Sequence, residues 1–421
     1  MLDIKFIREN IEAVRQALKN KNHCFDLDNF LRLDAKRREL TKEADELRAA
    51  QNKISEEVGR LLKDKKDAQE KIAESKNINQ KISTIDNELK IIKNDFETQL
   101  LNIPNIPHPS IPVGGPENNK IVKTQGKIRE FDFKPLDHIQ IAEKLDIVDF
   151  KRGTKISGSN FLLFKGSGAR LERALINFML DLHTKEHGYK EISPAFLVNR
   201  ASMTCTGQLP KLEEDMYRLK DDDLFLIPTA EVPVTNIHRD EIIEESQLPV
   251  YYAAYSACFR REAGSYGKDT RGMMRVHQFD KVELVKFVRP ETSYDELEKL
   301  LVNACRVLEL LEIPYRILIL ASGDISFAAA KCYDIEIYAP GLNKWLEVSS
   351  CSNFEDFQAR RGNIRFREKE TGKTKFVHTL NGSGTALARL VVAILENYQE
   401  ADGTVTVPQA LRRYLNGDQK L

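Results

Sequence analysis

Phe259-Arg260-Arg261-Glu262, a loop, and then Arg275-Val276-His277-Gln278-Phe279 make up the stretch from which the fold of this chain can be read. The runs around it, Val250 to Arg260 and Val276 to Val288, are rich in β-branched and aromatic residues and predict two long strands. The loop between them, Ala263 to Met274, carries Gly264, Gly267 and Gly272 together with Lys268 and Arg271. On neighbouring antiparallel strands Arg260 and Arg275 can share one face, with Phe279 between them. Guanidinium forks suit phosphate oxygens and an aromatic face suits a purine, so such a face fits a nucleoside triphosphate. A surface hairpin with incidental arginines is the other reading of these residues alone.

A second cluster, Asn381-Gly-Ser-Gly-Thr-Ala-Leu-Ala-Arg389, precedes the apolar run Leu390 to Leu395. It reads as small residues opening a helix, where a ligand can approach the backbone and the helix N-terminus favours anions. Tight helix packing would use the same residues. Upstream, Leu171, Leu175, Phe178 and Leu182 mark a helical stripe over Ala169 to Glu186, and Ile317 to Leu320 and Asp334 to Tyr338 predict further strands. Strands without regular βαβ alternation point to an antiparallel sheet in an α+β domain.

The first hundred residues follow another rule. Ile7, Ile11, Val14 and Leu18 predict a short amphipathic helix with Asp3 as its N-cap. Leu33, Leu40, Leu47, Ile54 and Leu61 then recur every seven residues, and after a polar turn Ile78, Ile82, Ile85, Leu89, Ile92 and Phe96 alternate by four and three. Two such seams around a short turn predict an antiparallel coiled-coil hairpin. Basic residues gather near its base (Lys36, Arg37, Arg38) and at its tip (Arg60, Lys63, Lys65, Lys66). A dimerising coiled coil and an RNA-binding arm both fit. Five prolines and two glycines between Ile103 and Pro116 then mark a boundary.

Composition narrows the classes. Lys plus Arg and Asp plus Glu are equal at 64 each among 421 residues, so a nucleic-acid partner must be held by local basic clusters. The six cysteines are scattered without a CxxC, which predicts reduced thiols and no zinc. The amino terminus lacks the pattern of a signal peptide and no run is long enough to span a membrane, so a cytoplasmic location and no membrane partner are expected. His183-Thr-Lys-Glu-His187 fits a zinc-peptidase pattern, yet it sits at a predicted helix end with no third ligand and reads as helix-end histidines. Gly166-Ser-Gly168 lacks the ending of a phosphate loop and reads as a plain helix start.

Taken together, FRRE…RVHQF and Gly382-x-Gly384-x-Ala386-x-x-Arg389 resemble the second and third motifs of class II aminoacyl-tRNA synthetases. The helix at 169–186 followed by Gly188 to Pro194 resembles the first, a dimer-interface motif, with Ala195 where that motif's proline would fall. Within the class the chain resembles the bacterial-type seryl-tRNA synthetases over nearly its whole length, including Thr204 to Lys211, Pro228 to Glu231 and Glu347 to Ser350.

The resemblance implies a class II antiparallel-sheet catalytic domain (136–421), a 104–135 linker and an N-terminal helical tRNA-binding domain (1–103) whose arm spans about 30–100. It implies a serine pocket of Thr229, Ala230, Glu231, Glu283, Asn381 and Ser383. An ATP site would comprise Arg260, Arg261, Glu262, Val276, Phe279, Glu347, Val348, Ser349, Ser350 and Arg389. Arg260, Arg275, Glu347 and Arg389 would carry the chemistry, with Glu347 and Ser350 as Mg²⁺ ligands. The implied partners are L-serine, ATP, tRNA(Ser) and by the same resemblance tRNA(Sec), in a homodimer, with the arm tip at Arg60, Lys63, Lys65 and Lys66 touching RNA. The rival expectations are a non-catalytic tRNA-binding paralogue, an activator loading a small amino acid onto another carrier, or a zinc-using threonine enzyme of the same class.

Overall fold

The computed structural model describes residues 1–263 and 271–421, and the chain divides into two compact units. One comprises Leu2–Lys19 and His23–Pro104, the other Met1, Asn20–Asn22 and Asn105–Leu421.

The smaller unit is helical: α1 (Ile4–Glu9), α2 (Ile11–Asn20), α3 (Leu27–Lys63) and α4 (Gln69–Leu100). Asp3 does cap the first helix, its Oδ1 accepting from the backbone N–H of Lys5 and Phe6. The single helix expected from Ile7 to Leu18 is two, however. Asn10 breaks it by turning its own amide onto Phe6 O at 3.0 Å, a local competition to which an apolar stripe is blind.

The hairpin follows its heptads. Leu40 and Ala44 of α3 bury against Ile85 and Leu89 of α4, with Leu47 and Ile92 packed beside them. Arg48 spans the helices to Asp86 at 2.6 Å, and Gln51 donates to Ser75 Oγ at 2.9 Å. At ~1.5 Å per residue α3 extends about 55 Å. The basic cluster at the base is committed inside the unit. Asp34 is almost wholly buried and pairs with Arg37 at 2.7 Å and Arg38 at 3.2 Å, while Arg37 also lies over the Phe96 ring. At the tip, Arg60, Lys63, Lys65 and Lys66 are all exposed.

The larger unit is built on strands β1 (Lys120–Gln125), β2 (Lys190–Glu191), β3 (Leu197–Asn199), β4 (Leu224–Leu226), β5 (Ile242–Glu244), β6 (Val250–Phe259) and β7 (Gln278–Val288). They continue as β8 (Tyr315–Ile319), β9 (Lys331–Ala339), β10 (Lys344–Asn353), β11 (Arg365–Arg367), β12 (Thr374–Phe376) and β13 (His378–Ala386). Eight of them form one sheet in the order β1-β8-β9-β10-β13-β7-β6-β2, antiparallel except for β2 beside β6. Helices α5 (His138–Lys144), α6 (Phe150–Ser157), α7 (Ser167–Lys185), α8 (Arg200–Thr206) and α9 (Glu231–Thr235) precede α10 (Ser293–Leu310), α11 (Phe357–Gly362), α12 (Leu387–Asn397) and α13 (Gln409–Arg412). The apolar faces of α7, α10 and α12 pack on this sheet, which supplies the core.

Two expectations change here. Asn381 to Ala386 do not open a helix; they end strand β13, and α12 starts only at Leu387. The glycines instead allow close packing. A Cβ at Gly382 would lie 3.0 Å from Cys351 Sγ and 3.1 Å from Leu300, and one at Gly384 would lie 3.0 Å from His183 Nε2. The proline-rich stretch also carries structure. Asn105 Nδ2 donates to Ala328 O and Phe354 O, and residues 120–125 form the sheet's edge strand with every residue exposed, so no alternation announced it.

Candidate active site

The long pair β6 and β7 sets the site. Its register places Cys258 opposite Phe279, and the pairing continues through Arg260 N donating to His277 O at 2.9 Å. The Arg260 guanidinium therefore falls over Phe279, 5.2 Å from the ring centroid. Just beyond, Arg275 Nη1 pairs with Glu262 Oε2 at 2.8 Å, and Glu262 holds a positive φ of 49°. Arg389, in the first turn of α12, donates to Glu347 O at 2.7 Å and to Met274 O at 3.4 Å. With Val276, Val348 and Ser350 these residues line one cavity of about 810 Å³.

The cavity's other wall is buried and acidic. Thr229 Oγ1 donates to Glu283 Oε2 at 3.0 Å, while Asn381 Nδ2 bridges Glu231 Oε2 at 2.9 Å and Glu283 Oε1 at 3.2 Å. Lys281 pairs with Glu283 and donates to Thr229 Oγ1 at 2.9 Å. Burial first, and the nearby Glu283 charge second, push the Glu231 carboxyl up to about 7. Asn381 Oδ1 is buried without a partner beside them. Donors and acceptors thus converge on a pocket suited to a small ligand carrying both an ammonium and a hydroxyl.

A further acidic group faces the same space. Ser350 Oγ donates to Asp334, and burial together with the Glu347 charge holds Asp334 above the usual carboxylate range.

Most of the residues expected from sequence meet in this cavity: Thr229, Glu231, Arg260, Glu262, Arg275, Val276, Phe279, Glu347, Val348, Ser350, Asn381, Ser383 and Arg389. Four expected residues do not present side chains there. Ser349 faces the far side of the sheet, donating to Ser383 O at 2.6 Å. Ala230 is packed in an apolar cluster with Val234 and Val285. Arg261 is exposed, and Glu283 lies behind the wall, reached through Thr229 and Asn381. Gly264, Gly267 and Lys268 lie outside the described residues. The arm residues Arg60, Lys63, Lys65 and Lys66 belong to the helical unit.

Sequence reasoning missed Lys281, Gln358, Asp334 and His138. Lys281 stands two residues before Glu283, and that alternation on one strand face was the only available signal. His138 accepts from Met273 N through Nε2 while its Nδ1 meets Glu396 at 3.0 Å, anchoring the end of the loop after Arg271. His183 and His187 are in contact at 3.0 Å through their Nδ1 atoms, and burial drives His183 down to about 3. Among the described residues no three His, Cys, Asp or Glu side chains are grouped to hold a metal.

Residues 1–107 match the family model for the seryl-tRNA synthetase N-terminal domain, and residues 214–398 match that for the class II tRNA synthetase core domain (G, H, P, S and T). The serine–tRNA ligase of Trichlorobacter lovleyi is 58% identical over 100% of both chains. The chain belongs to the seryl-tRNA synthetase family. Among solved structures, the seryl-tRNA synthetase of Pyrococcus horikoshii complexed with ATP has a TM-score of 0.92 at 40% identity, covering 100% of this chain and 99% of that one. The cytoplasmic serine–tRNA ligase of Naegleria fowleri in complex with AMP has a TM-score of 0.88 at 30% identity, covering 100% and 98%. The chain is accordingly an ATP-dependent aminoacyl-tRNA synthetase, a serine–tRNA ligase, with the class II antiparallel core and the helical arm of that family. No described helix is long and apolar enough to cross a membrane.

Proposed function

We propose that L-serine and ATP are joined in the 810 Å³ cavity, with ATP on the arginine and phenylalanine side and serine against the buried carboxylates. What carries this reading is the convergence of Arg260, lying over Phe279, with Glu231 and Asn381 in one cavity.

The serine carboxylate attacks the α-phosphorus, forming the C–O–P bond of seryl-adenylate as the bond to pyrophosphate breaks. No side-chain nucleophile is required, only positioning and neutralisation of charge. Arg260 grips the α-phosphate and the serine carboxylate together. Phe279 and Arg389 flank the adenine, and Glu262 accepts from its amino group. Arg275 reaches the outer phosphates, exchanging its Glu262 partner for them. Glu231 and Asn381, backed by Glu283 and Ser383, hold the ammonium and hydroxyl of serine. In the second step a tRNA 3′ hydroxyl attacks the carbonyl carbon and AMP leaves.

Glu347 and Ser350 fit Mg²⁺, because both face the cavity beside Asp334, whose ionisation the Glu347 charge disfavours, so a cation there would relieve that repulsion. When bound, the ion neutralises phosphate oxygens.

In our functional division residues 1–103 bind tRNA, 136–421 catalyse, and 104–135 connect the two while adding β1 to the sheet. The reading includes a cytoplasmic homodimer acting on tRNA(Ser), and by resemblance on tRNA(Sec), with the arm tip of one protomer holding a tRNA whose 3′ end enters its partner.

Separate kinetics for the two substrates test the pocket assignment. Glu231→Gln should raise the KM for serine and spare that for ATP, and Phe279→Ala should do the reverse. Equal effects on both substrates would overturn the division of the cavity.

A further inference from the structure

Behind the acidic wall lies a polar chain that does not itself line the cavity. Gln358 of α11 and Thr379 of β13 are fully buried. Thr379 Oγ1 donates to Gln358 Oε1 at 2.7 Å. The amide nitrogen is thereby turned the other way, where it donates to Glu231 Oε1 at 2.6 Å and to Thr206 O at 3.2 Å.

The orientation of this amide has one solution. Its two N–H donors meet two groups that only accept, a carboxylate and a backbone carbonyl, and its oxygen meets a hydroxyl proton. A flipped amide would set three acceptors against each other and leave buried donors unpaired.

We propose that Gln358 is a positioning residue for serine recognition, aiming the Glu231 carboxylate into the cavity and holding its charge from behind. The proposal rests on the reading that Glu231 meets serine. The two oxygens of Glu231 then divide their work. Oε1 is occupied by Gln358, and Oε2 faces Asn381 at the cavity wall. The charged groups facing Glu231 are Glu283 and Lys281 from β7 and Arg260 from the end of β6, with the thiol of Cys205 on α8 behind. Glu283 disfavours the ionised form, whereas Lys281, Arg260 and the Gln358 hydrogen bond favour it. Removing the Gln358 donor should therefore make Glu231 harder to ionise, without altering anything that touches ATP.

The test uses the full-length enzyme in serine-dependent pyrophosphate exchange. Gln358→Met keeps the side-chain length and loses the donor. The KM for serine should rise about tenfold or more, the scale of a hydrogen bond to a charged group, with the KM for ATP unchanged. The acid limb of kcat/KM for serine should also move to higher pH. Thr379→Val, which strips the amide oxygen of its donor and loosens the amide behind Glu231, should move both in the same direction, and Thr379→Ser should restore them. That series carries the test if Gln358→Met does not fold. A fall in kcat with both KM values scaled alike and no shift of the acid limb would mean Gln358 is only structural. Glu231→Gln separates the two ideas. If it leaves the serine KM unaltered, the pocket assignment fails. If it raises that KM while Gln358→Met and Thr379→Val behave as wild type, only the positioning role fails.

Discussion

The guanidinium of Arg260 lies 5.2 Å from the centre of the Phe279 ring, with its Nε 3.4 Å from Pro228 O. Cation and aromatic face are thus set against each other by the β6–β7 register. A donor aimed in advance at developing charge is worth more than one that must be ordered during the reaction.

Arg260→Ala should therefore cost the activation step ~3 kcal/mol or more, about a hundredfold or more in rate. Arg260→Lys should recover little, because a point charge cannot reproduce a planar fork. Near-normal exchange by a folded Arg260→Ala protein would mean that the phosphate face lies elsewhere.

The acidic wall predicts a pH dependence. Glu231 is raised to about 7, so its ionised form prevails above that pH and is lost as the pH falls through it. At low serine, exchange should decline as the medium is acidified through about pH 7. In Glu231→Gln that limb should vanish, leaving a lower and flatter profile. An unchanged limb in the variant would assign the titration to another group.

Gly384 provides a packing test. A Cβ there would meet His183 Nε2 at 3.0 Å and Val282 O at 3.3 Å. Gly384→Ala should destabilise the protein by roughly 1–3 kcal/mol, the usual cost of overfilling a tight interior, as measured by denaturant unfolding. A neutral result would show that β13 and α7 can separate freely.

The arm is predicted to be dispensable for activation. Cutting near Leu40 and Ile92 and closing with a short Gly-rich turn removes the Arg48–Asp86 pair and the upper seam but none of the cavity residues. Serine activation should persist within a few-fold, whereas transfer to tRNA should collapse. Charge reversal at Arg60, Lys63, Lys65 and Lys66 should weaken tRNA binding and flatten its salt dependence. Wild-type charging by the truncated enzyme would make the hairpin a structural or dimerising element.

Patterns repeated over many residues were legible in the sequence. The heptads of α3 and α4 and the apolar stripe of α7 appear where periodicity put them, and β6 and β7 where their β-branched and aromatic content did. Local competitions were not legible. Nothing in the Ile7 to Leu18 stripe reveals that Asn10 will take Phe6 O. Asn381 to Ala386 lack apolar alternation because Asn381 and Ser383 line the cavity while Gly382 and Gly384 leave room for Leu300 on α10 and His183 on α7. The candidate site was readable where the motifs set arginine and glutamate in fixed order, as at Arg260, Glu262 and Arg389, which line one cavity. It was not readable where a neutral residue acts from behind. Gln358 gains its meaning only from the fold that brings Thr379 and Glu231 to its two ends. The bulge between Glu347 and Ser349 hid the outcome at Ser349, since one extra residue reassigns which side chains face the cavity.

Amino-acid-dependent pyrophosphate exchange across all twenty amino acids tests the central claim most directly. Serine alone should drive rapid exchange. Alanine should be rejected by roughly 10⁴, because it leaves the buried polar groups around Glu231 and Asn381 unpaired. Comparable exchange with alanine or threonine would contradict a serine pocket built on those residues.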